Sequence, residues 1–157
     1  MSRFSLNLLG VFLFCLFFTV EAYAAADCNF QTVTDVNFGS YDVLSGLNND
    51  STGSLTVSCS GQTWTTVTTS IGASPNSGGF NPRQMLQASG TDLLNYNLYT
   101  NSTRTTIWGD GTQGTSTVTT SIHKNHPWNG TIYGRIPPGL NVGIGTYSEA
   151  LVVTINF

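Results

Sequence analysis

Charge is the scarcest feature of this sequence. Only 8% of its 157 residues are Asp, Glu, Lys or Arg, and five basic against eight acidic residues leave a formal charge of −3. A chain so poor in cations has no electrostatic footprint for gripping nucleic-acid phosphates or an anionic lipid surface. Disorder is excluded as well, because disordered chains are highly charged and poor in aromatics, whereas 11% of these residues are Phe, Trp or Tyr. Helical patterning is missing too: beyond the N-terminal region no segment holds a 3.6-residue apolar period for more than two turns, so helix content near zero is expected. What the chain has instead is Thr, Ser and Asn, roughly a third of all residues, together with 17 Gly. That composition points to an all-β domain of a size ordinary for one folding unit.

Long hydrophobic runs are absent except for one, Leu8 to Val20, behind the basic Arg3. As a helix its roughly 13 residues reach about 20 Å, short of a ~30 Å bilayer core. Small-residue cleavage options follow at Ala22-Tyr23-Ala24 and Ala24-Ala25-Ala26. Residues 1–26 therefore read as a secretory signal peptide, cleaved after Ala24 or Ala26, with residues 27–157 as the exported domain and no membrane insertion. Cys15 lies within the apolar run behind Phe14, without the small neighbour that a lipidation signal requires.

Cysteine is also scarce. Of three, only Cys28 and Cys59 remain after export. In an oxidising compartment two thiols allow a single intramolecular pairing, so a Cys28–Cys59 disulfide is expected. Closing a loop of about 32 residues stabilises the fold by about 3–4 kcal/mol on the chain-entropy account.

Catalytic constellations are thin, and no enzyme is expected. The seven carboxylates after the leader (Asp27, Asp35, Asp42, Asp50, Asp92, Asp110 and Glu149) show no pairing suited to acid–base work. There is no G-x-S-x-G, H-E-x-x-H or phosphate-cradling Gly loop. His123 and His126 form an H-x-x-H pair, but at a strand-to-loop junction these positions need not share a face and no third ligand lies nearby in sequence, so no metal or cofactor is expected. Asp110, within Gly109-Asp110-Gly111, reads as an Asx-type turn.

Period-2 alternation recurs between Gly-, Asn- and Pro-rich breaks. Phe30 to Phe38 reads as one or two strands. Leu55, Val57 and Cys59 alternate with small polar residues. Thr63 to Ile71, the stretch around Leu94, Tyr96 and Leu98, Thr115 to Ile122, and Thr131 to Ile136 read as further strands, with a loop from Gly72 through Pro82. In the last segment Tyr147, Leu151, Val153, Ile155 and Phe157 share one face, opposite Ala150, Val152, Thr154 and Asn156. Six or seven short strands with a buried disulfide describe an immunoglobulin-like β-sandwich. Trp64 and Trp108 read as core anchors. Trp128, between His126-Pro127 and Asn129-Gly130, has loop surroundings and is the candidate contact for a surface or glycan ligand.

Three sets of segments stand out together: Cys28, Asn37-Phe38-Gly39-Ser40-Tyr41-Asp42 and Gly53 to Cys59; then Leu94 to Tyr99 with Trp108-Gly109-Asp110-Gly111; then Tyr133 to Pro137 and the terminal Gly145 to Phe157. In this order they resemble the spore coat protein U family, which includes subunits of archaic (Csu-type) chaperone–usher pili. The resemblance spans nearly the whole chain after the leader. It implies an incomplete immunoglobulin-like sandwich that lacks its last strand. It further implies a periplasmic chaperone that lends a strand, an outer-membrane usher, and a neighbouring pilin whose N-terminal extension replaces the chaperone by strand addition. Tyr147, Leu151, Val153, Ile155 and Phe157 would then line the groove and core, with the Phe157 carboxylate anchored in a cationic cleft of the chaperone. One departure bears on the role. A donor strand of about ten residues spans roughly 33 Å, but after cleavage only Ala25-Ala26-Asp27, or Asp27 alone, precedes Cys28. The expectation is a subunit that accepts a strand without giving one, at a pilus tip or chain end, or a coat or secreted relative that never polymerises.

Overall fold

A computed structural model of the chain describes residues 24–157; the expected leader, Cys15 included, lies almost wholly outside them. Nine strands and no helix make up the described residues: β1 (Asp27–Thr34), β2 (Asn49–Ser60), β3 (Trp64–Ile71), β4 (Arg83–Gln87), β5 (Leu93–Tyr99), β6 (Val118–His123), β7 (Trp128–Ile136), β8 (Tyr147–Ser148) and β9 (Val153–Asn156). They form a six-stranded sheet in the order β1-β2-β7-β5-β4-β8 and a three-stranded sheet in the order β6-β3-β9. All the pairings between them are antiparallel. The protein is an all-β, immunoglobulin-like sandwich.

The alternation in the sequence explains which face each strand turns inward. On β2, Leu55, Val57 and Cys59 are buried, and on β3, Thr65, Val67, Thr69 and Ile71 are. Ile132 and Ile136 of β7 and Leu94, Tyr96 and Leu98 of β5 meet them from the large sheet, with Ile122 of β6 closing one side. Trp108 is the largest fully buried side chain, and its indole nitrogen donates to the Thr69 carbonyl at 3.2 Å. That bond satisfies the one polar atom that an otherwise apolar anchor carries into the core.

Cys28 and Cys59 are directly opposed in the β1–β2 ladder and form a disulfide with their Cα atoms 4.2 Å apart. The bridge pins an edge strand that buries little else, since of β1 only Cys28 is fully covered. After a register shift between Phe30 and Thr32, β1 ends at Thr34, and residues 35–48 run on without strand structure. Val36 and Phe38 still pack inward, over Gly134 of β7. A Cβ on Gly134 would come within 2.5 Å of the Val36 side chain and 2.7 Å of the Phe38 ring. The missing side chain is what lets this segment lie on the sheet.

Three readings of the sequence are corrected. The terminal segment is not one strand: β8 pairs with β4 in the large sheet, and after a crossing at residues 149–152, β9 pairs with β3 in the small one. Trp64 is not a core anchor but 61% exposed, because it lies on the outward face of β3 while its neighbour Thr65 points in. Trp128 does not sit in a loop. It opens β7 opposite Val57 and is half-buried, with its ring lying over Gly130.

Candidate functional site

The two sheets are unequal, and the mismatch opens a groove. β9 has one neighbour, β3, so its other edge carries no strand. Between that edge and residues 33–43 lies an open groove of about 840 Å³. Its floor is the inner face of the large sheet, including Met85, Leu94, Leu98 and Ile136, and no strand of the small sheet covers it there. Unpaired strand edges beside exposed apolar surface recruit a further strand unless they are blocked.

The terminal residues singled out from sequence are divided by the chain's crossing. Tyr147, Leu151 and Val153 line the groove. Ile155 lies outside the lining and packs on the core from β9, opposite Thr69. Phe157 follows the end of β9 and is 56% exposed. None of the five is fully buried, whereas equivalent alternating positions on β2, β3 and β7 are. The chain itself covers these side chains only in part.

A polar cluster that the sequence reading missed braces the rim. Glu149, in the crossing between β8 and β9, accepts hydrogen bonds from the Tyr96 hydroxyl at 2.6 Å, from Asn76 Nδ2 at 3.2 Å and from the Ser74 hydroxyl. Burial, and secondly the bond to the Glu149 carboxylate, push the Tyr96 hydroxyl far above the ordinary phenol range. Beside it Arg83 is fully buried. Its guanidinium donates to Asn97 Oδ1 at 3.0 Å and to the carbonyls of Ile71, Gly72 and Trp108 at 3.3, 3.0 and 2.8 Å. Desolvation pulls the Arg83 pKa down from its usual value. The cluster ties β4 and the crossing after β8 to the end of β3, so the bank of the groove formed by β9 rests on fixed backbone. The only sequence signal for it was the inward parity of Arg83 with Met85.

At the groove's open end the loops are tied to one another. Tyr41 donates to the Pro137 carbonyl at 2.9 Å and accepts from the Leu140 amide at 3.0 Å. Asp92 accepts from the Gly143 amide at 2.7 Å. Outside the groove, Asp110 makes the expected Asx turn, accepting from the Thr112 amide at 2.8 Å. His123 and His126 come together on a turn with ring centroids 4.9 Å apart. Among the described residues, no three His, Cys, Asp or Glu side chains gather as a metal site.

The comparisons agree with this architecture. The sequence matches the Spore Coat Protein U domain over residues 15–154. It is 38% identical over 130 residues to Protein U of Myxococcus xanthus, a match covering 78% of this chain and 71% of that protein. Among solved structures, a chain of the CsuC–CsuE chaperone–tip adhesion subunit pre-assembly complex, from the archaic chaperone–usher Csu pili of Acinetobacter baumannii, superposes with a TM-score of 0.59 at 22% identity. That match covers 85% of this chain but 40% of the other, and at such identity it bears on the fold alone. Matched over most of its length by the family's sequence pattern and by a curated relative, the chain belongs to the Spore Coat Protein U domain family.

Proposed function

We propose that this protein is a non-enzymatic, exported structural or adhesive subunit of the archaic chaperone–usher pilus type, completed by a strand from another polypeptide. The observation that carries the reading is the open apolar groove beside the free edge of β9. A periplasmic chaperone would fill it first, the outer-membrane usher would receive the complex, and a neighbouring pilin's strand would replace the chaperone's at the cell surface. Four apolar side chains laid in such a groove, at about 1.5–3 kcal/mol each, contribute on the order of 6–12 kcal/mol before the costs of ordering. Tyr147, Leu151 and Val153 are its contact residues in this reading, with Ile155 supporting β9 from the core and the Phe157 carboxylate presented to the chaperone.

Within the same proposal the subunit accepts a strand and gives none, which suits a tip or terminating position. What supports this is that β1 is already engaged from Asp27 onward and stapled at Cys28. Cleavage after Ala24 or Ala26 would leave at most two free residues, Ala25 and Ala26, before β1. The Trp128 ring, half-buried over Gly130, presents only part of its surface to a surface or glycan ligand.

Co-expression with a pilus chaperone tests the reading. The expected result is a soluble 1:1 complex, an aggregation-prone chain when expressed alone, and a rise in Tm when a donor-strand peptide is added. A chain that is monomeric and soluble on its own and indifferent to both partners would overturn it, leaving a secreted coat or surface-binding module. Self-linked fibres of the mature chain would overturn the acceptor-only role.

A further inference from the structure

Three aromatic side chains meet on the outer surface of the small sheet, apart from the groove. Trp64 and His123 are directly opposed in the β3–β6 ladder, and their rings meet edge to face with centroids 4.8 Å apart. At His123 β6 ends, and the chain reverses through Lys124 and Asn125, the latter at a φ of 62°. The His126 amide donates to the His123 carbonyl at 2.9 Å, closing a four-residue turn. A turn closed this way brings its first and fourth residues together. The spacing that left the pair unassigned in sequence therefore places both imidazoles against each other, at an interplanar angle of 62°.

We propose that this turn is a two-histidine site for a late first-row divalent cation, with copper(II) the tightest binder. Two features of the geometry point to it. A metal–nitrogen bond of about 2.0–2.1 Å, plus roughly 1.1 Å from nitrogen to ring centre, separates the centroids of two imidazoles on one ion by about 4.5–5.2 Å for angles of about 90–109° at the metal. The separation here is 4.9 Å. Secondly, His123 Nδ1 lies 3.0 Å from the Lys124 carbonyl. A carbonyl only accepts, so Nδ1 carries the hydrogen, and in the neutral ring this leaves the lone pair on Nε2, which is the arrangement that orients metal-ligating histidines.

The donor set also selects the ion. Two imidazoles without a carboxylate suit copper, nickel or zinc and offer nothing to the oxygen-seeking magnesium and calcium. No third protein ligand joins them among the described residues. Water, or a donor brought by another molecule, fills the remaining positions. His126 is exposed and His123 half-exposed, so the site is open to solution.

Copper(II) chloride titrated into the untagged exported chain, in its chaperone complex if it is not soluble alone, tests the assignment. Calorimetry is expected to show one saturable site absent from the His123→Ala and His126→Ala variants, or at least tenfold weaker in each. Electron paramagnetic resonance should show two nitrogen ligands. Emission from exposed Trp64 should be quenched as the ion binds, and Trp64→Phe should lose that quench while keeping the affinity. Equal affinity in parent and both histidine variants, a one-nitrogen spectrum, or no saturable binding would overturn the proposal and leave an aromatic stack. Urea midpoints of the variants matching the parent's show that any loss is not unfolding.

Discussion

The Tyr96 hydroxyl donates to Glu149 Oε2 at 2.6 Å, and this bond fastens the chain where it leaves one sheet for the other. Tyr96 stands on β5 in the middle of the large sheet, and Glu149 follows β8 directly. β8 has only two residues and β9 four. Ladder bonds alone hold such short strands weakly, so the carboxylate and its donors from Tyr96, Ser74 and Asn76 fix the bank of the groove.

Stability should therefore fall in alkali. The Tyr96 hydroxyl titrates far higher in the folded chain than in the unfolded one, because of burial first and Glu149 second. A raised folded pKa means that this contribution is complete below the unfolded value, near ~10, and is lost as pH rises beyond it. Urea midpoints measured from pH 8 to pH 11 should decline in the parent and decline less steeply in Tyr96→Phe, where Tyr99 and Tyr147, also shifted upward, still contribute. Glu149→Gln should cost about 1–3 kcal/mol at neutral pH, since it removes the charged acceptor from three donors.

Acid should act at a different place. Asp50 of β2 faces Arg135 of β7 and receives two hydrogen bonds from its guanidinium, at 2.7 and 2.8 Å, with Arg104 at 3.2 Å. The bond from Arg135 lowers the Asp50 pKa, against a smaller opposing effect of burial. The depressed value makes this contribution present above the unfolded carboxylate range, near ~4, and lost as pH falls through the folded value. The stability gap between parent and Asp50→Asn should therefore close as pH is taken from 6 down to 2. Because the carboxylate side chain is 34% exposed, the gap should also shrink in high salt.

The two contrasting tryptophans separate core from surface. Trp108→Ala should cost about 3–5 kcal/mol, the usual range for a large aromatic removed from a packed core. Trp64→Ala should stay within about 0.5 kcal/mol of the parent, because that ring is exposed and touches mainly His123. Denaturant midpoints with an unchanged m-value would establish both figures.

Legibility in the sequence followed local periodicity. β2, β3 and β7 alternate cleanly because each has one buried face, β5 alternates in apolar character although Asn97 on its other face is buried as well, and Cys28 and Cys59 needed only the count of thiols to be paired. β4 was passed over because its inward residues are Arg83 and Met85. A cation reads as solvent-facing until its acceptors are known, and here they are carbonyls of Ile71, Gly72 and Trp108 on distant parts of the chain. Likewise the terminal segment keeps one parity from Tyr147 to Phe157, so nothing local marks the crossing at residues 149–152. The groove itself was approached through family resemblance, because an uncovered sheet face has the same apolar pattern as a covered one. The histidine pair depended on the left-handed backbone at Asn125, which no spacing rule conveys.

Adjacent valines at the edge of the small sheet give the sharpest test of where a completing strand would lie. Val153 lines the groove, whereas Val152 is 72% exposed outside it. An aspartate at 153 would place an unpaired charge in the apolar surface that a donor strand must cover, at a desolvation cost of several kcal/mol. The same residue at 152 stays in water. In a chaperone co-purification assay, or in thermal shifts with a donor-strand peptide, Val153→Asp should weaken capture by more than tenfold while Val152→Asp behaves as the parent. Far-UV circular dichroism of the two variants should coincide, since β9 is also held through its ladder with β3 from Ile71 to Thr68. Equal capture of both variants would place the completing strand elsewhere than along β9.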